Sequence, residues 1–283
     1  MGRHAAAMPP AQKPRRSIWS VVMWVATAVF VVALVWLGTM VYSYWHDANR
    51  YSEISDSVFT PTDLSSDDSL ENMRVDWDAL SEINSEVIAW IYVPGTRISY
   101  PVCQTSDNEK YLETNFDGAQ GVFTGSGTIF LDTETSPDFS DDVNFLFGHH
   151  MNDGSMFACI SDFADQSEFD SHRDVYILTP SCNYQFKSYA LIRAVGSEHL
   201  VANDFASDDE KSTYLQNVED RSIVTPSEGF PSIDSIDKTL ALSTCDYNQD
   251  DGRAILYCFL EDSAAPKVNG SDVVGDADGY VAP

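Results

Sequence analysis

Three side chains in this sequence could together do covalent chemistry. Cys245 ends the run Leu240-Ala241-Leu242-Ser243-Thr244-Cys245, Arg253 follows it by eight residues, and His149 lies far upstream in Phe147-Gly148-His149. A cysteine attacks as its thiolate, an imidazole holds or relays the proton, and a guanidinium stabilises the oxyanion on the attacked carbonyl. The chemistry such a set could perform is acyl transfer at cysteine.

The surroundings decide whether the three can meet. Cys245 closes an apolar run and opens the polar stretch Asp246-Tyr247-Asn248-Gln249-Asp250-Asp251-Gly252, so it reads as a strand end, where a substrate can reach it. The next strand starts at Arg253, which puts thiol and cation at the same end of adjacent antiparallel strands. His149 follows a strand at 144–147, and Gly148 is expected to free the backbone for a turn. Of the other five histidines, His150 adjoins His149, His4 and His46 flank an apolar segment, and His172 and His199 sit in polar loops. A metal at His149-His150 is rejected because adjacent side chains diverge and no suitably spaced third ligand follows. The stretch from Asp246 departs from a calcium loop, with Asp251 in place of the sixth-position Gly and Tyr257 in place of the twelfth-position Glu. No metal or cofactor is expected.

With five cysteines, at least one thiol stays unpaired within the chain. Cys103, Cys159, Cys182 and Cys258 read as small core hydrophobes, and no bridge is expected among them.

No Asp, Glu, Lys or Arg lies between Arg16 and Asp47. The apolar segment 18–44 is longer than the ~20 residues that span a bilayer and longer than the core of a secretory signal. Arg3, Lys13, Arg15 and Arg16 precede it, which predicts a cytoplasmic N-terminus (1–17) and everything beyond on the outside. All 44 acidic residues and 12 of the 16 basic ones follow the segment. A surface that acidic excludes nucleic acid as a partner. Residues 45–75 are rich in Ser, Asp and Thr and read as a stalk. A folded domain is expected over 76–262, opening with a short helix at 76–84, and a disordered tail over 263–283. Short β-branched and aromatic runs at 87–93, 97–102, 127–131, 144–147, 174–178, 184–195, 239–243 and 254–260 predict a closed barrel or a sandwich. A polar helix with an apolar edge is expected at 207–218.

Several blocks, in this order, resemble the sortases, the membrane-anchored transpeptidases of Gram-positive bacteria, and class B most closely. They are Asn84-Ser85-Glu86-Val87-Ile88-Ala89-Trp90-Ile91-Tyr92-Val93-Pro94-Gly95-Thr96, Ile98-Ser99-Tyr100-Pro101-Val102, Gly127-Thr128-Ile129-Phe130-Leu131-Asp132, Phe147-Gly148-His149 with Met151-Asn152-Asp153-Gly154-Ser155-Met156-Phe157, and Asp237 through Cys245 with Gly252-Arg253. The family's Thr-Leu-X-Thr-Cys is met except at its first position, here Ala241. The resemblance implies a mainly β fold, an eight-stranded barrel with peripheral helices, and a triad of His149, Cys245 and Arg253. It implies that His149 is the base in preference to His150, because it directly follows the family's Gly. Leu242, Ser243, Thr244 and Tyr247, beside the thiol, are the expected substrate contacts. The implied partners are the sorting-signal peptide of exported surface proteins and an amine of a peptidoglycan precursor or crossbridge. The implied location is the cell membrane, with the catalytic domain outside. The same residues would also serve a pilin-polymerising enzyme or an exported cysteine hydrolase. A binding module with Cys245 as core is the non-catalytic alternative.

Overall fold

The computed structural model describes residues 18–60, 70–120, 126–196, 198, 201–246 and 252–267, and the chain divides into two units, 1–43 and 44–283. The first unit carries most of helix α1 (Ile18–Val58). Its stretch Ile18–Tyr42, 25 residues of mean hydropathy 2.5, is long and apolar enough to cross a membrane. At ~1.5 Å per residue it exceeds the ~30 Å hydrocarbon layer.

The second unit begins within the same helix. Tyr51, Ile54 and Val58 recur at helical spacing and are buried. A two-residue strand β1 (Phe59–Thr60) pairs antiparallel with β2 (Arg74–Val75). The Phe59 ring lies 5.8 Å from Trp90 and 5.0 Å from Tyr92, and Leu70 and Met73 are buried in the same core. The segment expected to be a stalk is therefore, where described, part of the folded unit. Few apolar residues suffice there because each falls on the face turned to the barrel. Helix α2 (Trp77–Ile83) follows, capped by the Asp76 carboxylate accepting from the Ala79 amide at 3.0 Å. At the other end the domain runs past 262, since the Lys267 amide still donates to the Glu71 carbonyl at 2.9 Å. Residues 268–283, the rest of the expected tail, lie outside the described residues.

The remaining elements are β3 (Val87–Tyr92), β4 (Ser99–Cys103), helix α3 (Lys110–Glu113), β5 (Ile129–Leu131), β6 (Val143–Phe147), helix α4 (Gln166–Ser171), β7 (Asp174–Leu178), β8 (Asn183–Val195), helix α5 (Asp208–Arg221), β9 (Thr239–Asp246) and β10 (Gly252–Ala264). Strands β3 to β10 close a barrel in the order β10-β8-β7-β3-β4-β5-β6-β9. This settles barrel against sandwich. Each of the eight runs expected as strands becomes one staff of it.

Alternation along the strands sorts side chains into two environments. Leu146, Leu191, Leu240, Leu242, Leu256 and Cys258 join the main core inside the barrel. Their neighbours Phe145, Ile192, Ala241, Ile255 and Tyr257 face outward, where Leu215 and Val218 of α5 cover them. Helix α5 spans three residues more at its C-terminus than expected. It is fixed at its start by Ser207 accepting from the Glu210 amide, while the Glu210 carboxylate accepts from the Ala206 amide. Past the end of this cover the outer face continues through Phe147, Ser243, Cys245 and Arg253.

Candidate active site

Strand register sets two of the three candidate side chains across from each other, and one groove gathers all three. In the antiparallel pair β9–β10, Arg253 stands directly across from Cys245. In the parallel pair β6–β9, Phe147 stands across from Ser243. The Gly148 amide continues that ladder by donating to the Ser243 carbonyl at 3.1 Å. His149 follows just beyond the end of β6 and lines the same groove as Cys245. Because side chains alternate, Phe147, Ser243, Cys245 and Arg253 share the outer face. With His149, Leu112, Phe130 and Thr244 they line one groove of about 290 Å³. Cys245 is partly exposed there, while Phe130 and Phe147, with ring centroids 5.4 Å apart, give the groove an apolar wall.

Of the expected substrate contacts, Ser243 and Thr244 border the groove, although the Thr244 side chain is only 2% exposed. Leu242 is corrected: it is fully buried in the barrel core. Its place in the strand, one residue out of phase with Ser243, turns it inward. Tyr247 lies outside the described residues.

His149 is held from both sides. Its Nε2 lies 2.7 Å from the Leu112 carbonyl oxygen. A carbonyl can only accept, so Nε2 bears the proton and a neutral ring leaves Nδ1 as the proton acceptor. Leu112 sits in α3, which is tied to β3 through Glu86. Lys110 pairs with the Glu86 carboxylate, and the Tyr111 hydroxyl donates to it at 2.6 Å. These two partners hold the Glu86 carboxyl below its usual range. On the other side, Gly127 has φ +57°, and a Cβ there would stand 2.9 Å from His149 Cδ2 and 2.5 Å from the Tyr111 carbonyl oxygen. Gly148 serves differently from the sequence expectation. Its φ is not in the left-handed region, and what it supplies is space, since a Cβ would meet Ile129 Cδ1 at 2.4 Å and Phe157 Cδ2 at 2.7 Å.

His150 turns to another task. Its Nδ1 lies 3.0 Å from the Cys245 carbonyl oxygen and 3.2 Å from Ser161 Oγ, so it fastens the backbone that carries the thiol. Among the described residues no hydrogen bond joins the Cys245 sulfur to the His149 ring. Such contacts commonly tighten only when substrate is bound.

All five thiols are free. Burial pushes Cys103 up to about 12 and Cys159 up to about 11, and it raises Cys258 as well. These three are held as inert thiols, in keeping with their reading as core. Among the described residues no cluster of His, Cys, Asp or Glu could hold a metal ion.

Sequence reasoning missed the Leu112 carbonyl, because any residue supplies one, and the Cys245 carbonyl as the partner of His150. The steric role of Gly127 had a visible signal in its glycine, but the neighbours that demand it come from distant segments.

No family model matches the chain. Sortase B of Listeria monocytogenes is 25% identical over 228 residues, which cover 77% of this chain and 90% of that protein. Sortase B of Staphylococcus aureus is 25% identical over 176 residues, covering 62% and 70%. Among solved structures, sortase B from Bacillus anthracis superposes with a TM-score of 0.64 at 27% identity, covering 77% of this chain and 98% of that one. Sortase B of Clostridium perfringens gives a TM-score of 0.60 at 27% identity, covering 65% and 99%.

Proposed function

We propose that this chain, similar to sortase B in sequence and in fold, is a class B sortase that joins exported proteins to an amine of the cell wall, with Cys245, His149 and Arg253 as its reactive residues. His149 Nδ1 takes the Cys245 thiol proton, and the resulting thiolate attacks a backbone carbonyl in the sorting signal. The carbonyl carbon gains a bond to sulfur, its bond to the leaving nitrogen breaks, and His149 protonates that nitrogen as the C-terminal fragment departs. Arg253, across the strand pair from the thiol, stabilises the oxyanion formed in passing. An incoming amine of a peptidoglycan precursor or crossbridge then attacks the thioester. His149 accepts its proton, the carbon–sulfur bond breaks, and an amide remains. The apolar helix with Arg3, Lys13, Arg15 and Arg16 before it supports a single membrane anchor with the catalytic domain outside.

The observation that carries this reading is the register that sets Arg253 opposite Cys245, with His149 lining the same groove. Intact-mass spectrometry of the full chain in detergent micelles, mixed with candidate sorting-signal peptides and with or without an amine, tests it. The expected result is a thioester adduct that is absent in Cys245→Ala and that becomes an amide-linked product when amine is added. An adduct resolved by water alone, whatever amine is present, would make the protein a hydrolase. Product formed only with a protein lysine would make it a pilin polymerase.

A further inference from the structure

A second cleft, of about 420 Å³, lies between the end of α1 and the barrel. It shares no lining residue with the thiol groove, so a ligand held there stays out of the reaction. Its volume is in the range of small-molecule sites, ~300–1,000 Å³.

The charges on its walls narrow the class of ligand. Asp56 and Arg97 both border the cleft, and among the described residues neither forms an ion pair. Arg97 donates from Nη1 to the Asp153 carbonyl at 2.7 Å and keeps its other N–H groups. A small anion would meet the Asp56 carboxylate, and a small cation would meet the guanidinium. A neutral ligand that both donates and accepts suits the two together.

Hydroxyls make up most of the remaining wall. Ser126 is only 4% exposed, and its hydroxyl has no hydrogen-bond partner among the described residues. A buried hydroxyl left unpaired is costly, so this one is set for a partner that the described protein does not supply. Ser55 and Ser99 meet at 2.8 Å, which uses one hydroxyl proton and leaves the other, with free lone pairs on both oxygens. Tyr51 and Tyr100 also line the cleft, with ring centroids 5.6 Å apart and planes at 86°. Their hydroxyls are taken by the Gly127 carbonyl and the Met156 amide, so what they add is ring carbon. Groups that each donate and accept, set beside aromatic carbon, match a sugar, whose own hydroxyls do both and whose ring has C–H faces.

We propose that this cleft is a saccharide site, which holds a short neutral stretch of glycan apart from the catalytic groove. Arg97 donates to the sugar hydroxyls, Asp56 accepts from them, and Ser126 pairs with one more. The sugar is bound whole, and no bond in it is made or broken.

Ligand-observed NMR titration of the full chain, in micelles of a detergent without a sugar head, tests the site with two neutral disaccharides, cellobiose and diacetylchitobiose. Inorganic phosphate, putrescine, L-alanine and tetra-alanine stand for an anion, a cation, a zwitterion and a peptide. At least one disaccharide is expected to bind saturably and to resist displacement by an excess of any of the four. Arg97→Gln should weaken that binding about ten-fold, the loss of a hydrogen bond from a charged group, and Asp56→Asn and Ser126→Ala about three-fold or more each. Ser126→Ala removes one oxygen and no bond within the described protein, so it reads the site even where a charge variant folds poorly. Cys245→Ala should bind as wild type does, because the thiol lines the other groove. No saturable binding of either disaccharide, displacement by any of the four controls, or wild-type affinity in both Ser126→Ala and Arg97→Gln would overturn the assignment. Those outcomes leave the thioester experiment above untouched, and a chain that forms no thioester can still bind sugar here.

Discussion

His149 and His150 are adjacent in sequence and differ in what they touch, and that difference fixes what their loss should do. His149 lines the groove with its proton on Nε2, whereas His150 holds the Cys245 carbonyl. His149→Ala should lower transfer by about 10²–10⁴-fold, the usual worth of a positioned acid–base. His150→Ala removes one backbone tether of about 1 kcal/mol and should cost several-fold. Steady-state rates on a sorting-signal peptide measure both, and the reverse order would exchange the two roles. Arg253→Lys keeps the charge but loses the planar fork, and is expected to lose about 10²–10³-fold; near-full activity in that variant would remove the guanidinium from the mechanism. At this scale side-chain type put Cys245, His149 and Arg253 forward from the sequence, and the fold lines one groove with all three. The sequence misled at Leu242, because a run of residues beside a thiol was read as one surface, while a strand shows alternate residues to opposite faces.

The short helix α3 shows how an element without reactive groups can set a site. Its Leu112 carbonyl orients the His149 ring, and the helix is fastened by Lys110 and Tyr111 to Glu86. The Glu86 carboxyl is held below its ordinary 4.5 by those two partners. A depressed carboxylate stabilises the fold fully above its unfolded value and loses that contribution as pH falls through the folded one. Glu86→Gln should therefore melt about 1–3 °C below wild type at neutral pH, a small gap because the pair is solvent-screened. The gap should close as pH drops below about 4, as differential scanning calorimetry across pH would record; a gap independent of pH would assign it to packing instead. Strands of this molecule were legible because β-branched runs broken by turn residues mark them. Elements such as α3 were not, since four residues carry too little periodicity.

At the scale of the whole molecule, the stretch before residue 76 is the part whose role changed most between sequence and structure. It reads as polar linker by composition, yet Tyr51, Ile54, Val58, Phe59 and Met73 are all buried in the main hydrophobic core. Losing a buried side chain of this size costs roughly 2–5 kcal/mol, against a total stability of roughly 5–15 kcal/mol. A chain starting at Asp76 forfeits all five, together with the Tyr51 hydroxyl that accepts from the Phe116 amide at 3.0 Å and donates to the Gly127 carbonyl. It should show no cooperative melt at 37 °C or above, whereas a chain starting at Tyr44 should unfold in one transition. A milder change separates fold from function: Tyr51→Phe keeps the ring and removes only the hydroxyl, with its bonds to Phe116, Gly127 and Thr128. Because Gly127 is packed on His149, that variant should stay folded while its rate with a sorting-signal peptide falls several-fold. Unchanged turnover in Tyr51→Phe, with the Asp76 chain as stable as the longer one, would return this segment to the role of a tether.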